Sequence, residues 1–182
     1  MLPSGSRRRY RQYDGRAALS RVRCRSDDHM NVVGGQNLVY IRVLIADDQL
    51  RSRRSLAALL TAMRWDTLSY TEHLASDAAN RVPFPVEIVG EAENGKQALE
   101  QAQALQPDSI VMDLQMHLVS SAVAGLDGLA TIKMIKRDWP TIRIVVLTMF
   151  ATDRTSALAA GADTFLLKGC PTSELLDAVM PN

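Results

Sequence analysis

Five short apolar runs mark the chain, and each is followed by a stretch in which apolar residues return every third or fourth position. The runs are IRVLIA at 41–46, VEIVGE at 86–91, SIVM at 109–112, RIVVLT at 143–148 and TFLLK at 164–168. Runs of this length predict buried strands, and their regular exchange with helical periodicity predicts a parallel sheet covered on both faces. The first helix places Leu56, Leu59, Leu60 and Met63 on one face, and the second spans 96–105 before Pro107 stops it. The third carries Leu129, Ile132 and Ile135 and ends before Pro140; the fourth covers 152–160 and closes at Gly161. Leu175, Leu176 and Val179 mark the fifth. These stripes read as core-packing faces.

The polar residues that end the runs carry the chemistry. In an open parallel sheet the functional crevice lies outside the carboxyl ends of the strands. The first run delivers Asp47 and Asp48 there, the third Asp113, the fourth Thr148 and the fifth Lys168. Three carboxylates crowded within about 4 Å repel by roughly 4 kcal/mol per pair at an effective dielectric near 20, which invites a hard divalent cation. Mg²⁺ fits best, because it takes oxygen ligands and prefers one or two carboxylates plus waters and a substrate phosphate. Thr148 and Lys168 then face the remaining phosphate oxygens, since phosphoryl transfer asks a protein mainly to position groups and neutralise charge. Asp113 is the natural nucleophile, forming an aspartyl phosphate.

From Tyr40 to Met180 the chain resembles the CheY-like receiver domain of two-component response regulators. The motifs that carry the resemblance are IRVLIADDQ, VEIVGEAENGKQALE, PDSIVMDLQM, LDGLATIKMIK, RIVVLTMF and AGADTFLLKG, in that order. They are most similar to the subgroup usually fused to a helix-turn-helix DNA-binding domain. The resemblance implies a flavodoxin-like, three-layer α/β/α fold, with a doubly wound five-stranded parallel sheet in the order 2-1-3-4-5. It implies that Asp113 accepts a phosphoryl group from a sensor histidine kinase or phosphotransfer protein. It further implies that Asp48, Asp113 and the backbone carbonyl of Gln115 ligate Mg²⁺ while Asp47 supports the metal indirectly. Thr148 and Phe165 match the hydroxyl and aromatic positions that switch together, with the ring turning inward after phosphorylation, and Lys168 matches the lysine that pairs with the phosphate. The changing surface would be that of the fourth helix, last strand and last helix, docking a downstream protein or a second copy of the chain.

Two stretches depart from the family pattern. Residues 65–85 make a connection roughly twenty residues longer than usual, with a helical turn expected around His73 to Ala79. Residues 117–126 insert beside the site: Met116 is followed by His117 where a proline is usual, which loosens the turn holding the metal-binding carbonyl. His117 reads as an exposed loop histidine rather than a ligand or phosphate donor.

The formal net charge of +1 hides a basic N-terminal block, in which Arg7, Arg8, Arg9, Arg11, Arg16, Arg21, Arg23 and Arg25 face only Asp14, Asp27 and Asp28. Residues 1–39 therefore read as a disordered extension, with Met30 as the natural start and a nucleic-acid-binding arm as the rival account. Cys24 and Cys170 make no disulfide framework and read as reduced thiols. No run approaches the roughly 18 apolar residues of a membrane span. A cytoplasmic location is expected.

The chain ends at Asn182, which leaves no room for the roughly 60-residue DNA-binding module of the nearest subgroup and argues against DNA binding. The expected function is a single-domain response regulator, not an enzyme beyond Mg²⁺-dependent self-phosphorylation from a phosphodonor and slow autodephosphorylation. Alternatives are a truncated DNA-binding regulator and a pseudo-receiver whose insertion prevents phosphorylation. A haloacid dehalogenase-type phosphohydrolase shares the inventory of groups, but it needs an acid two residues after the nucleophile. Gln115 stands there, and an amide is no general acid.

Overall fold

Successive residues of a strand point to opposite faces, so an apolar run with no polar interruption must be covered twice. In the computed structural model, which describes residues 30–33, 36–70, 86–116 and 127–180, that is what the runs meet. Strands β1 (Met30–Val33) and β2 (Gln36–Val39) precede β3 (Ile41–Ala46), α1 (Leu50–Tyr70), β4 (Val86–Ala92), α2 (Gly95–Leu105), β5 (Ser109–Met112) and α3 (Gly128–Asp138). Then follow β6 (Arg143–Thr148), a 3₁₀ turn (Ala151–Asp153), α4 (Arg154–Ala160), β7 (Thr164–Leu167) and α5 (Thr172–Val179). The main sheet is parallel throughout, in the order β4-β3-β5-β6-β7, which is 2-1-3-4-5 counted from β3.

Leu44, Ala46, Ile110, Met112, Ile144 and Val146 share one core layer with Ala98 and Ala102 of α2, Ile132 and Ile135 of α3, and Ala157 of α4. Their neighbours Val43, Ile45, Val111, Val145 and Leu147 share the other with Leu60 of α1 and Leu175 and Val179 of α5. The helix ends follow local rules. Asn94 caps α2 by accepting from the Gln97 amide, and Gln106 ends it in the left-handed region at φ 46°. Asp127 caps α3 through the Ala130 amide, and Gly161 ends α4 at φ 109°.

Three elements differ from expectation. The extension read as disordered through residue 39 ends in an antiparallel hairpin, pairing Met30 with Val39 and Val33 with Gln36. Its valines, interrupted in sequence by Gly34 and Gly35, are ordinary hairpin material. Helix α1 continues past Trp65 to Tyr70, into the stretch read as a connecting insertion, because no glycine or proline interrupts it. The buried stripe of α1 runs through Arg53, Leu56, Ala57 and Leu60, while Leu59 is exposed. Leu56 and Leu60 stand on the expected face, with Arg53 and Ala57 on the stripe in place of Leu59. The helical turn expected around His73 to Ala79, the insertion at 117–126 with His117, and the arginine-rich block all lie outside the described residues.

The stripe is directly testable. Leu60→Ala should cost about 2–5 kcal/mol and Leu59→Ala about 0.5 kcal/mol or less, read by urea unfolding.

Candidate functional site

The sheet ladder runs one residue past its strands at three places. The Asp47 amide donates to the Ala92 carbonyl at 3.0 Å, that of Asp113 to Ala46 at 2.8 Å, and that of Lys168 to Thr148 at 2.8 Å. Each of these residues therefore has its backbone held by the neighbouring strand while its side chain projects past the strand ends. Asp47, Asp113 and Thr148 are buried, and the Lys168 side chain is 18% exposed.

Lys168 joins the site together. Its Nζ donates to Asp47 Oδ2 at 2.8 Å and to Asp113 Oδ2 at 2.5 Å. Two carboxylates held roughly 5 Å apart repel by about 3 kcal/mol at an effective dielectric near 20, and each ammonium contact, at about half that distance, attracts about twice as strongly. The lysine therefore outweighs the repulsion. Burial works to lower its pKa, but the hydrogen bonds and charges of Asp113 and Asp47 together exceed that effect and hold it above the usual lysine range.

Two of the three carboxylates expected together share one ammonium. Among the described residues no group of three or more His, Cys, Asp or Glu side chains gathers as a metal cage. An ammonium stands between two of the acids, and Asp48 follows Asp47 at the same strand end, half-buried. Asp47 is held by three donors. Its Oδ1 accepts from the Gln49 amide at 2.8 Å, and its Oδ2 accepts from Ser52 Oγ at 2.6 Å as well as from Lys168.

After Asp113 the chain turns through Leu114 and Gln115, whose amide donates to Asp113 Oδ1 at 3.1 Å. The missing proline does not leave this turn unsupported. Met116 is buried, and α3 begins so close to it that a Cβ on Gly128 would lie 2.8 Å from Leu114 Cα. Glycine at 128 is required by that approach rather than by its dihedrals.

Thr148 is fully buried, and its Oγ1 has no hydrogen-bond partner among the described residues. The Phe165 ring is buried in the core layer that also holds Ala157, Ala160 and Ala162, with the Arg154 guanidinium 5.9 Å over its face. The expected inward turn of this ring thus starts from a ring already inside. Phe has no hydroxyl to hold it in water.

The sequence reading missed Ser52, Arg53 and Glu91 as contributors. Ser52 bonds Asp47; Arg53, itself buried, donates from Nη1 to the Asp47 carbonyl at 2.8 Å and from Nε to Glu91 Oε2 at 3.0 Å. The signal was present, since Arg53 falls on the apolar stripe of α1, where an unpaired charge is costly. Cys170 is half-buried, and burial together with Glu174 pushes its thiol pKa up, which disfavours a reactive thiolate.

A family model described as the response regulator receiver domain matches residues 85–180. The response regulator protein VraR of Staphylococcus aureus is 38% identical over 96 residues, which are 52% of this chain and 43% of that protein. The match thus spans less than half the length of that relative. Among solved structures, the response regulator domain of Thermotoga maritima CheB is 25% identical with a TM-score of 0.55, covering 77% of this chain and 93% of its own. The signal receiver domain of NarL from Mycobacterium tuberculosis is 26% identical with a TM-score of 0.53 over the same shares. The fold is also that of a Borrelia burgdorferi complex of CheX, CheY, BeF₃ and Mg²⁺, at 18% identity and a TM-score of 0.58, covering 79% of this chain and 89% of that one.

Two predictions rest on this geometry. Because the folded-state pKa of Lys168 lies above its unfolded value, its contribution to stability is complete below about pH 10 and is lost as pH rises through the folded value. In metal-free buffer, wild type should lose unfolding free energy above about pH 10.4 more steeply than Lys168→Met, measured by urea unfolding. Thr148→Val removes a buried hydroxyl without a partner and should raise stability by about 1 kcal/mol, a rise of a few degrees in Tm by calorimetry.

Proposed function

We propose, on the premise that this chain belongs to the response regulator receiver domain family, that it is a phosphorylation-dependent switch whose phosphoryl acceptor is Asp113. The family acts in two-component signalling, generally without enzymatic activity. Its receiver domains generally bind Mg²⁺ and interact with histidine kinases and downstream targets. The observation that carries the reading is the placement of Lys168 against both Asp113 and Asp47, which puts a positive charge beside the acceptor oxygen.

In the proposed step an Asp113 carboxylate oxygen gives an electron pair to the phosphorus of a phosphohistidine on a sensor kinase or phosphotransfer protein. The P–N bond breaks, its pair stays on the imidazole nitrogen, and that nitrogen takes a proton from solvent. Lys168 neutralises charge on the incoming phosphoryl oxygens, and the buried Thr148 hydroxyl supplies a donor that nothing else uses. A small acyl phosphate serves as donor in the same way, and slow autodephosphorylation resets the switch.

The donor set suits Mg²⁺, which prefers one or two carboxylates and hard oxygens. Asp48, Asp113 and the Gln115 carbonyl would hold it, with Asp47 supporting indirectly because its oxygens are already occupied by three donors. When bound it neutralises phosphoryl charge.

Output runs through the face of α4, β7 and α5, where Leu158 and Leu167 stand exposed and Phe165 lies beneath Arg154. That face docks a downstream protein or a second copy of the chain, and Thr148 and Phe165 couple it to Asp113. No helix among the described residues is long and apolar enough to cross a membrane, and the reading places the protein in the cytoplasm.

Incubation with Mg²⁺ and acetyl phosphate, followed by intact mass, tests the proposal. Wild type should gain one phosphoryl group and Asp113→Asn none, with circular dichroism checking that the variant is folded. Equal labelling of both would move the acceptor elsewhere, and no labelling of wild type would assign a binding module in which Lys168 keeps both carboxylates permanently.

A further inference from the structure

Lys168 cannot serve a phosphoryl group on Asp113 fully while it also neutralises Asp47. Asp47 is 1% exposed, so losing its lysine would leave a charge almost out of reach of water. What remains on Asp47 then decides whether the lysine can leave.

An ionised carboxylate has about four lone-pair sites. On Asp47 one oxygen, Oδ2, takes both Lys168 Nζ at 2.8 Å and Ser52 Oγ at 2.6 Å, and the other, Oδ1, takes the Gln49 amide at 2.8 Å. Ser52 and Lys168 thus share one oxygen. Ser52 sits in the first turn of α1, one residue before Arg53, whose guanidinium is buried against the Asp47 carbonyl and Glu91. The helix start is therefore fixed on the strand end, and the serine hydroxyl is delivered to the carboxylate rather than reaching it by chance.

We infer that Ser52 is a positioning residue that makes Lys168 releasable, holding Asp47 Oδ2 when the ammonium swings toward a phosphoryl group on Asp113. This rests on the reading of Asp113 as the acceptor. With Ser52, each Asp47 oxygen keeps one donor after the lysine departs; with an aliphatic residue there, Oδ2 keeps none. The lysine would then be retained by Asp47, and the freed lone pair would turn the same oxygen toward any cation nearby.

The two consequences have opposite signs, which separates this role from mere support of the fold. Ser52→Ala should bind Mg²⁺ about threefold more tightly by calorimetry without phosphodonor, yet accept phosphoryl from acetyl phosphate about tenfold more slowly at saturating Mg²⁺. Ser52→Thr, which restores the hydroxyl, should return both values to those of wild type. If Ser52→Ala weakens Mg²⁺ binding and phosphorylation together, or changes neither, Ser52 does not release the lysine. Wild type that takes no phosphoryl group overturns the reading of Asp113, and the release of Lys168 with it. Wild type that is labelled while Ser52→Ala matches it in both measurements overturns only the role of Ser52.

Discussion

One ammonium between two buried carboxylates sets the terms for the rest of this structure. Lys168 reaches Asp47 across 121 residues of chain and Asp113 across 55. Those contacts exist only because the sheet order puts β3 and β5 side by side and β7 two strands beyond β5. Removing one partner of such a group leaves an uncompensated charge and costs several kcal/mol, whereas the intact set is closer to neutral in stability. The cluster is therefore weak as glue and strong as a constraint: it penalises any strand order or register that separates the three residues.

The register that satisfies it is written in the apolar layers. Leu44, Ile110 and Ile144 point to one side and Val43, Val111 and Val145 to the other, so slipping one strand by a residue would exchange the layers. The polar residues lie where the core ends, with the ladder clamping the amides of Asp47, Asp113 and Lys168 and the start of α1 set against Asp47.

That division also explains what could be read from the chain. The strands and the residues Asp47, Asp113, Thr148 and Lys168 follow from local apolar runs and from what ends them, both properties of neighbouring residues, whereas the strand order came only from the family resemblance of the motifs. The contacts of Lys168 do not, because three acids with no stated distances invite a metal, while the folded chain places its own cation between two of them. The partners of Ser52 and Arg53 were out of reach for a related reason, although the place of Arg53 on the stripe was visible. Periodicity assigned the α1 face to leucines, and a buried arginine at the stripe position makes sense only once the Asp47 carbonyl and Glu91 are seen beside it. The turn after Asp113 shows the same limit, since a missing proline is visible in sequence and the compensating approach of Gly128 to Leu114 is not.

The two sides of the site are out of balance in a way that gives a phosphoryl group something to resolve. Lys168 is shared between two acceptors, and Thr148 has a buried hydroxyl with none. A dianionic group on Asp113 would offer acceptors to both at once, so its binding energy would come partly from relieving an unsatisfied hydroxyl and partly from drawing the lysine off Asp47. Because Phe165 already lies inside, the ring itself need not travel for the change to register. Movement of Thr148 would alter the β6 end against which β7 is bonded, and β7 carries Phe165 beneath Arg154 of α4. On the proposed reading, the path from Asp113 to the α4 face would be a short run of backbone and packed side chains, and its first step would be the Thr148 hydroxyl gaining an acceptor.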